Sequence, residues 1–237
     1  MPLSDNIIIT IQTGARSSPL SKIQVKEIYE ALIEFHSTVQ FDVHYFSTTG
    51  DKDQKTSLRS LGSTDFFTKE IDEWVLEKKG RVGIHSAKDL PSPLPKGLSI
   101  FCLTQGLDPA DVLVLPKNQT LEALPRGARI ATSSVRREEC ALQLRPDLTF
   151  MDLRGTIEQR LAKLENSEAD GVIVAEAALI RLGLQHLNRI RLPGETAEGQ
   201  GRLAVVGQSS DEEMKQLFFK LDCVKNVGLF TCISHFE

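Results

Sequence analysis

Several kinds of protein are excluded by what the sequence does not contain. No stretch of the 237 residues approaches the roughly 20 consecutive apolar positions of a membrane span. The opening MPLSDNIIITIQTGARSSPL has no basic segment leading into an apolar one, so no secretory leader is expected, and the expected location is cytoplasmic. Basic residues show no excess: 28 Lys and Arg against 32 Asp and Glu leave a formal net charge of −4, which argues against nucleic acid as a partner. Cysteine is sparse. Cys102, Cys140, Cys223 and Cys232 form no CxxC pair and have no His at metal-ligand spacing, so they read as reduced, mostly buried thiols, and no metal site is expected. Internal repeats and low-complexity tracts are missing too. What remains is an ordinary globular composition, 41% hydrophobic and 25% charged, long enough for one large domain or two α/β lobes.

Short β-rich runs alternate with amphipathic stretches. Residues 7–11 (IIITI) read as a buried strand, 18–35 as a helix with Ile23, Ile28, Leu32 and Phe35 on one face, and 41–46 as a strand. Ser63 or Thr64 can cap a helix running to Lys79, which Gly80 can end. Phe66, Phe67, Ile71 and Trp74 recur along it at helical spacing and read as a core stripe. Residues 81–85 form a third strand. A second series follows, with strands at 128–132, 148–153 and 171–175 and helices at 134–144, 156–164 and up to Arg181. A late strand at 201–206 precedes a helix at 210–221, with Met214, Leu217, Phe218 and Leu221 facing inward. This alternation predicts mainly parallel sheets covered on both faces. The Pro-rich DLPSPLPKG (89–97) closes the first series, and residues 106–109 and 193–201 are the expected crossings between lobes. The expected division is a discontinuous first lobe (1–104 with 202–222) and a second lobe (105–201), hinged around a cleft.

Arginines recur where strands run into helices: Arg16 in GARSSPL, Arg136 and Arg137 in ATSSVRRE, Arg154 in DLRGT, with Arg160 one turn further on. Open sheets bind ligands at the carboxyl ends of their strands. Helix starts favour anions, and guanidinium forks grip them bidentately. The pattern therefore predicts a polyanion cleft and leaves open whether the anion is phosphate or carboxylate. HSAKDLP (85–91) follows the strand at 81–85, and its prolines bar an immediate helix, which places Lys88 and Asp89 on an ordered loop. An Asp beside a Lys can stay ionised and act as a charge stabiliser or proton acceptor.

In their order, GARSSPL, GIHSAKDLPSPLPKGL, the DP-x-D element at 108–111, ATSSVRREECALQLRPDL, LRGTIEQRLAKL, AALIRLGL and EGQGRL are together similar to the motif set of porphobilinogen deaminases over about residues 7–221. The resemblance implies an α/β fold of two lobes like type II periplasmic binding proteins, normally followed by a small α+β third domain. It also implies the head-to-tail condensation of four porphobilinogens into hydroxymethylbilane, with loss of ammonia, on a covalent dipyrromethane cofactor. Asp89 matches the family's catalytic aspartate. Arg16, Arg136, Arg137, Arg154 and Arg160 match arginines that bind acetate and propionate groups, and Ser18, Ser86, Lys88, Thr132, Ser133, Ser134 and Gly155 match polar cleft positions. The implied partner is the small molecule porphobilinogen, bound by a monomer.

The sequence also departs from the pattern. Ser60, Thr64 and Ala110 stand where basic residues are usual, and Thr156 replaces an Asn. Residues 223–237 contain no GGC-type loop, so the third domain is expected to be absent or vestigial. Position along the chain then favours Cys232, and after it Cys223, as the thiol carrying the primer. Two readings follow: an active deaminase, or a degenerate fold that binds pyrrole polycarboxylates with little or no turnover.

Overall fold

The structure is a computed structural model that describes residues 8–53, 56, 57, 59 and 65–222. Strand β1 (Ile9–Arg16) pairs in parallel with β2 (Val39–Phe46) along its whole length, from Ile9 opposite Val39 to Arg16 opposite Phe46. Between them runs helix α1 (Pro19–Ile33). Ser18 caps it by accepting a hydrogen bond from the Ser21 amide at 3.2 Å, and Pro19 at the first turn has no amide hydrogen to satisfy. Val25, Ile28 and Leu32 recur at helical spacing and are buried. The helix stops before Phe35, which is exposed with the Lys220 ammonium over its ring, so Phe35 is not on the inward face.

The rest of the first sheet comes from β3 (Val82–Ser86), β4 (Leu98–Leu103) and a late strand β10 (Leu203–Gln208), in the order β2-β1-β3-β10-β4. The second sheet holds β5 (Asp111–Val114), β6 (Arg129–Ala131), β7 (Thr149–Met151), β8 (Gly171–Ala175) and β9 (Arg189–Arg191), in the order β7-β6-β8-β5-β9. Neither sheet is mainly parallel. β10 runs antiparallel to both β3 and β4, and β5 antiparallel to both β8 and β9. These are the strands next to the crossings. β10 returns from the second sheet and inserts between two strands already in place, so its direction is set by the side from which it enters. β5 and β9 carry no alternation to betray them, being four fully buried residues and a three-residue edge.

Helices cover both sheets. Short α2 (Thr49–Lys52), α3 (Lys69–Leu76) and α7 (Glu212–Phe218) join α1 on the first. On the second lie α4 (Val135–Leu144), α5 (Ile157–Glu165) and α6 (Glu176–Arg181). Ile11, Val25, Ile28, Leu32, Ile84, Phe101, Val205 and Phe218 form one core. On the second sheet Leu113, Ile130 and Ile173 pack to one side, and Val112, Val172, Val174 and Leu179 to the other. Each such side chain, fully buried, contributes about 1.5–3 kcal/mol. Helix α3 starts only after Thr68, so Phe66 and Phe67 precede it and are not part of its core stripe, whereas Ile71 and Val75 are buried on it. Ser63 and Thr64, the caps expected for it, lie outside the described residues.

The two crossings lie against each other. The Leu107 amide donates to the Gly201 carbonyl at 3.1 Å, and the Thr104 amide to the Leu203 carbonyl at 2.9 Å. Beside them Arg181 of α6 grips Glu27 of α1 through two hydrogen bonds of 2.7 and 2.9 Å and reaches the Gly201 carbonyl at 3.0 Å. Gly201 has φ +85°, and a Cβ there would stand 2.4 Å from the Leu107 carbonyl oxygen, a backbone atom that cannot swing away. Gly127 has φ +71° with open space around it. Gly127→Ala should therefore cost only the left-handed backbone penalty, about 1–2 kcal/mol. Gly201→Ala should lose roughly 1–3 kcal/mol more from overpacking, measured by urea denaturation. Equal losses would contradict the close approach of the crossings.

Candidate active site

Strand ends from both sheets converge on one cavity of about 450 Å³. From the first sheet, β1 delivers Arg16 and the loop carrying Ser18, while β3 delivers Ser86, Lys88 and Asp89. From the second, the turn after β7 delivers Arg154 and Gly155, α5 delivers Arg160, and α4 delivers Arg137. Lys88 and Asp89 sit on a single 3-10 turn (Ala87–Asp89), not on an irregular loop. Pro91 begins only after Leu90 has closed the turn with its amide on the Ala87 carbonyl at 3.2 Å, so the prolines cost it no hydrogen bond.

Each cation is held by an acceptor of its own. Arg16 pairs with Asp51, which is fixed in turn by the Thr48 amide and hydroxyl. Burial alone would raise the Asp51 carboxyl, but Arg16 and Thr48 together bring it below the usual carboxylate range. Arg154 donates through Nη2 to the carbonyls of Gly50 at 2.9 Å and Asp53 at 2.5 Å, while its Nη1 is buried without a partner among the described residues. Arg160 donates to the Gly155 carbonyl at 2.9 Å. Arg137 pairs with Asp111, at 2.6 Å through Nη2 and 2.9 Å through Nε. Phe66 and Phe67 do not serve the core. The Arg16 guanidinium lies over Phe67 at 4.5 Å, and that of Arg154 over Phe66 at 5.4 Å.

The field in the cavity is positive. Desolvation, then repulsion from Arg137 and Arg16, lowers Arg160 to about 10. Lys88 opens onto the cavity yet is surrounded by protein on the scale over which charges act; desolvation, then Arg137, lowers it to about 8. Two carboxylates of the wall are set apart from this cluster, Asp51 by its pairing with Arg16 and Glu158 by its exposure. Asp89 faces the cations with no ion-pair partner among the described residues.

Arg136 does not line the cavity: it binds Asp111 at 2.6 Å and the Glu195 carbonyl at 2.6 Å. Thr132, Ser133 and Ser134 do not line it either. Thr132 is buried, Ser133 exchanges hydrogen bonds with the Leu153 backbone, and Ser134 begins α4. Sequence reasoning missed Asp51, Phe67, Asp111 and Gln200. Asp111 and Gln200 stood inside recognised motifs but lacked a partner until the fold supplied one. Cys102 and Cys140 are buried and away from the cavity, while Cys223, Cys232, Ser60 and Thr64 lie outside the described residues. Among the described residues no group of three His, Cys, Asp or Glu could hold a metal, and no helix is long and apolar enough to cross a membrane.

Residues 11–216 match the family model described as porphobilinogen deaminase, dipyromethane cofactor binding domain. The porphobilinogen deaminase of Nostoc sp. is 39% identical over 211 residues, 86% of this chain and 65% of the relative. That of Bacillus subtilis is 37% identical over 213 residues, 88% of this chain and 68% of the relative. The chloroplastic porphobilinogen deaminase of Euglena gracilis is 36% identical over 236 residues, 94% of this chain and 48% of the relative. The chain belongs to the porphobilinogen deaminase family, and it spans about half the length of the Euglena relative and just under two thirds of the Nostoc one. Among solved structures, the LysR family regulator CbnR aligns at TM-score 0.53 with 11% identity over 89% of this chain and 68% of its own. The Bordetella pertussis BvgS VFT2 domain aligns at 0.52 with 11% identity over 99% of this chain and 95% of its own. The fold is thus that of the type II periplasmic-binding-protein-like domains.

Behind the Lys88–Asp89 turn, His85 and Asp72 face each other with Nε2 and Oδ1 3.6 Å apart, both almost fully buried. Burial, then the charge of Arg16, lowers His85 to about 4. Burial raises Asp72 to about 6 against a hydrogen bond from Thr68, with Asp65 and Glu73 adding to the rise. A histidine depressed in the folded state loses stability as pH falls from its unfolded value of about 6.5. The loss is complete below about 4. Asp72 works in the opposite sense, so a difference between variants isolates the histidine. His85→Gln should lose on the order of 2–3 kcal/mol less than the wild type between those limits, read from urea denaturation over a pH series. Parallel curves would contradict a neutral buried imidazole.

Proposed function

We propose that the chain acts in tetrapyrrole biosynthesis by condensing four porphobilinogen molecules head to tail, with loss of ammonia, into hydroxymethylbilane. The observation that carries this reading is Asp89 in a cavity it shares with Arg16, Lys88, Arg137, Arg154 and Arg160. Porphobilinogen bears an acetate and a propionate on a pyrrole ring, so a growing chain is a polyanion with N–H donors along its spine. Guanidiniums suit the carboxylates as bidentate partners, and a lone carboxylate suits the N–H groups.

The matched family domain is named for a dipyromethane cofactor, which has the same acid-bearing pyrrole chemistry. The cavity residues fit such a group: Arg154 keeps a buried Nη1 unpartnered among the described residues, and burial first, then the nearby charge of Arg137 that an anion would offset, lowers both Lys88 and Arg160. When bound, the group supplies the free pyrrole carbon to which the first substrate adds. Arg16, Arg137, Arg154 and Arg160 are the residues that would hold its acid side chains. Among the thiols of this chain, Cys232, and after it Cys223, is the proposed anchor, since Cys102 and Cys140 are buried away from the cavity.

Each addition breaks the bond from the aminomethyl carbon to nitrogen, which leaves as ammonia. One carbon–carbon bond forms, and the attacked ring carbon gives up its proton. Asp89 stabilises the positive charge that develops as ammonia departs, in a site where fixed charges act strongly. It also accepts hydrogen bonds from pyrrole N–H groups. The arginines neutralise and align the acid side chains, converting binding into orientation. A degenerate module without turnover finds no support among the relatives, which carry the enzyme's name.

Asp89→Ala should lower ammonia release from porphobilinogen by on the order of 10²–10³-fold, with the thermal midpoint little changed. Arg154→Leu should act mainly on KM, raising it roughly tenfold or more, since a hydrogen bond to a charged group is worth about 1.5–3 kcal/mol. An Asp89→Ala enzyme that keeps most of its turnover, or an unchanged KM in Arg154→Leu, would contradict the assignment.

A further inference from the structure

Asp111 opens β5 just after the first crossing and is 2% exposed. Its carboxylate accepts from Arg137 Nε at 2.9 Å, Arg136 Nη2 at 2.6 Å and Gln200 Nε2 at 2.9 Å, and it is ion-paired with Arg137 Nη2 at 2.6 Å. Gln200 comes from the other crossing and is 4% exposed. Its Nε2 also donates to the Pro109 carbonyl at 2.5 Å, so both amide hydrogens are committed. The amide can then point only its oxygen toward the cavity. That oxygen lies 3.4 Å from Lys88 Nζ and 3.4 Å from Arg137 Nη2. A continuous polar path thus runs from the touching crossings to the turn that carries Asp89.

We propose that Asp111 and Gln200 are positioning residues for the Lys88 ammonium and the Arg137 guanidinium, so that the packing of the two crossings sets the charge the cavity offers an acid ligand. The proposal deepens the carboxylate-site reading and rests on it for its function, though not for its geometry. Asp111 neutralises two adjacent arginines that would otherwise repel Lys88, and it fixes which end of the Gln200 amide Lys88 meets. The charged groups acting on Lys88 are Arg137 from α4, Arg160 from α5, Asp111 from β5 and Asp89 on its own turn, with desolvation the largest influence. Its ammonium titrates near 8, so the loss of an acceptor or of a compensating charge changes its protonation close to neutrality.

The experiment follows the Lys88 side chain by NMR in the full chain labelled with ¹³Cε-lysine, without added pyrrole. The resonance is assigned by its disappearance in Lys88→Arg. The Lys88 midpoint should fall by about half a unit or more in Gln200→Met, which removes the acceptor, and further in Asp111→Asn, which also removes a compensating charge. Asp108→Asn, in the same motif but paired with Arg191, should leave it unchanged. Amide fingerprint spectra establish that each variant is folded. Should Asp111→Asn not fold, Gln200→Met decides alone. A Lys88 midpoint unchanged in the folded Gln200→Met protein, or shifted equally by Asp108→Asn, overturns the proposal. Porphobilinogen is absent throughout, so failure of the deaminase reading would show in turnover and not in this titration.

Discussion

Repulsion among cations crowded round one cavity is the constraint to which the rest of the structure answers. Arg16, Lys88, Arg137, Arg154 and Arg160 open onto the same space, where burial first and then the charge of Arg137 lower the proton affinity of Lys88 and Arg160. Charges brought together out of bulk water are tolerated only where each has a fixed counterpart. The protein supplies these from the wall and from behind it: Asp51 for Arg16, Asp111 for Arg137, and backbone carbonyls of Gly50, Asp53 and Gly155 for Arg154 and Arg160. These contacts fix the guanidiniums in place, and the cavity is left for an acid ligand to complete. Asp89 is the exception among the carboxylates, since it faces the cluster without an ion-pair partner among the described residues.

The same constraint gives the crossings their importance. Arg16 and Lys88 belong to the first sheet, and Arg137, Arg154 and Arg160 to the second, so the cluster exists only while the sheets are held in register. Gly201 against Leu107, Arg181 on Glu27, and Gln200 on Asp111 all lie at or beside the two connecting segments. Arg59 adds a tie from the segment after α2 to the second sheet, through Glu138 at 2.7 Å and Asp152 at 3.0 Å. A change in the angle between the sheets would alter several charge pairs at once, a suitable property for a site whose ligand is expected to grow by repeated units.

Much of this was legible in the chain, for reasons that can be named. Strand β8 is legible with its bounds intact because Gly171 to Ala175 is a short apolar run between turns, and α1 is legible as a helix, though two residues too long at its end, because Ile28 and Leu32 keep helical spacing. Arginines at strand ends pointed to the cavity because sheets of this kind present ligands there. Strand direction was not legible: local propensity is blind to which neighbour a returning strand such as β10 will find. Phe66 and Phe67 imitated a core stripe because cation–π contacts leave no periodic trace. Asp111 and Gln200 looked like motif residues without a task because their partners lie between 25 and 112 positions away along the chain.

The central claim is that this cavity gathers porphobilinogen units and joins them. Native mass spectrometry of the wild-type chain incubated with porphobilinogen tests it most directly, with Asp89→Ala alongside. The account predicts a ladder of species rising by one pyrrole unit at a time in the wild type, with ammonia released in step. It predicts no ladder in the variant. A single unmodified mass in the wild type, with the porphobilinogen left unconsumed, would contradict it.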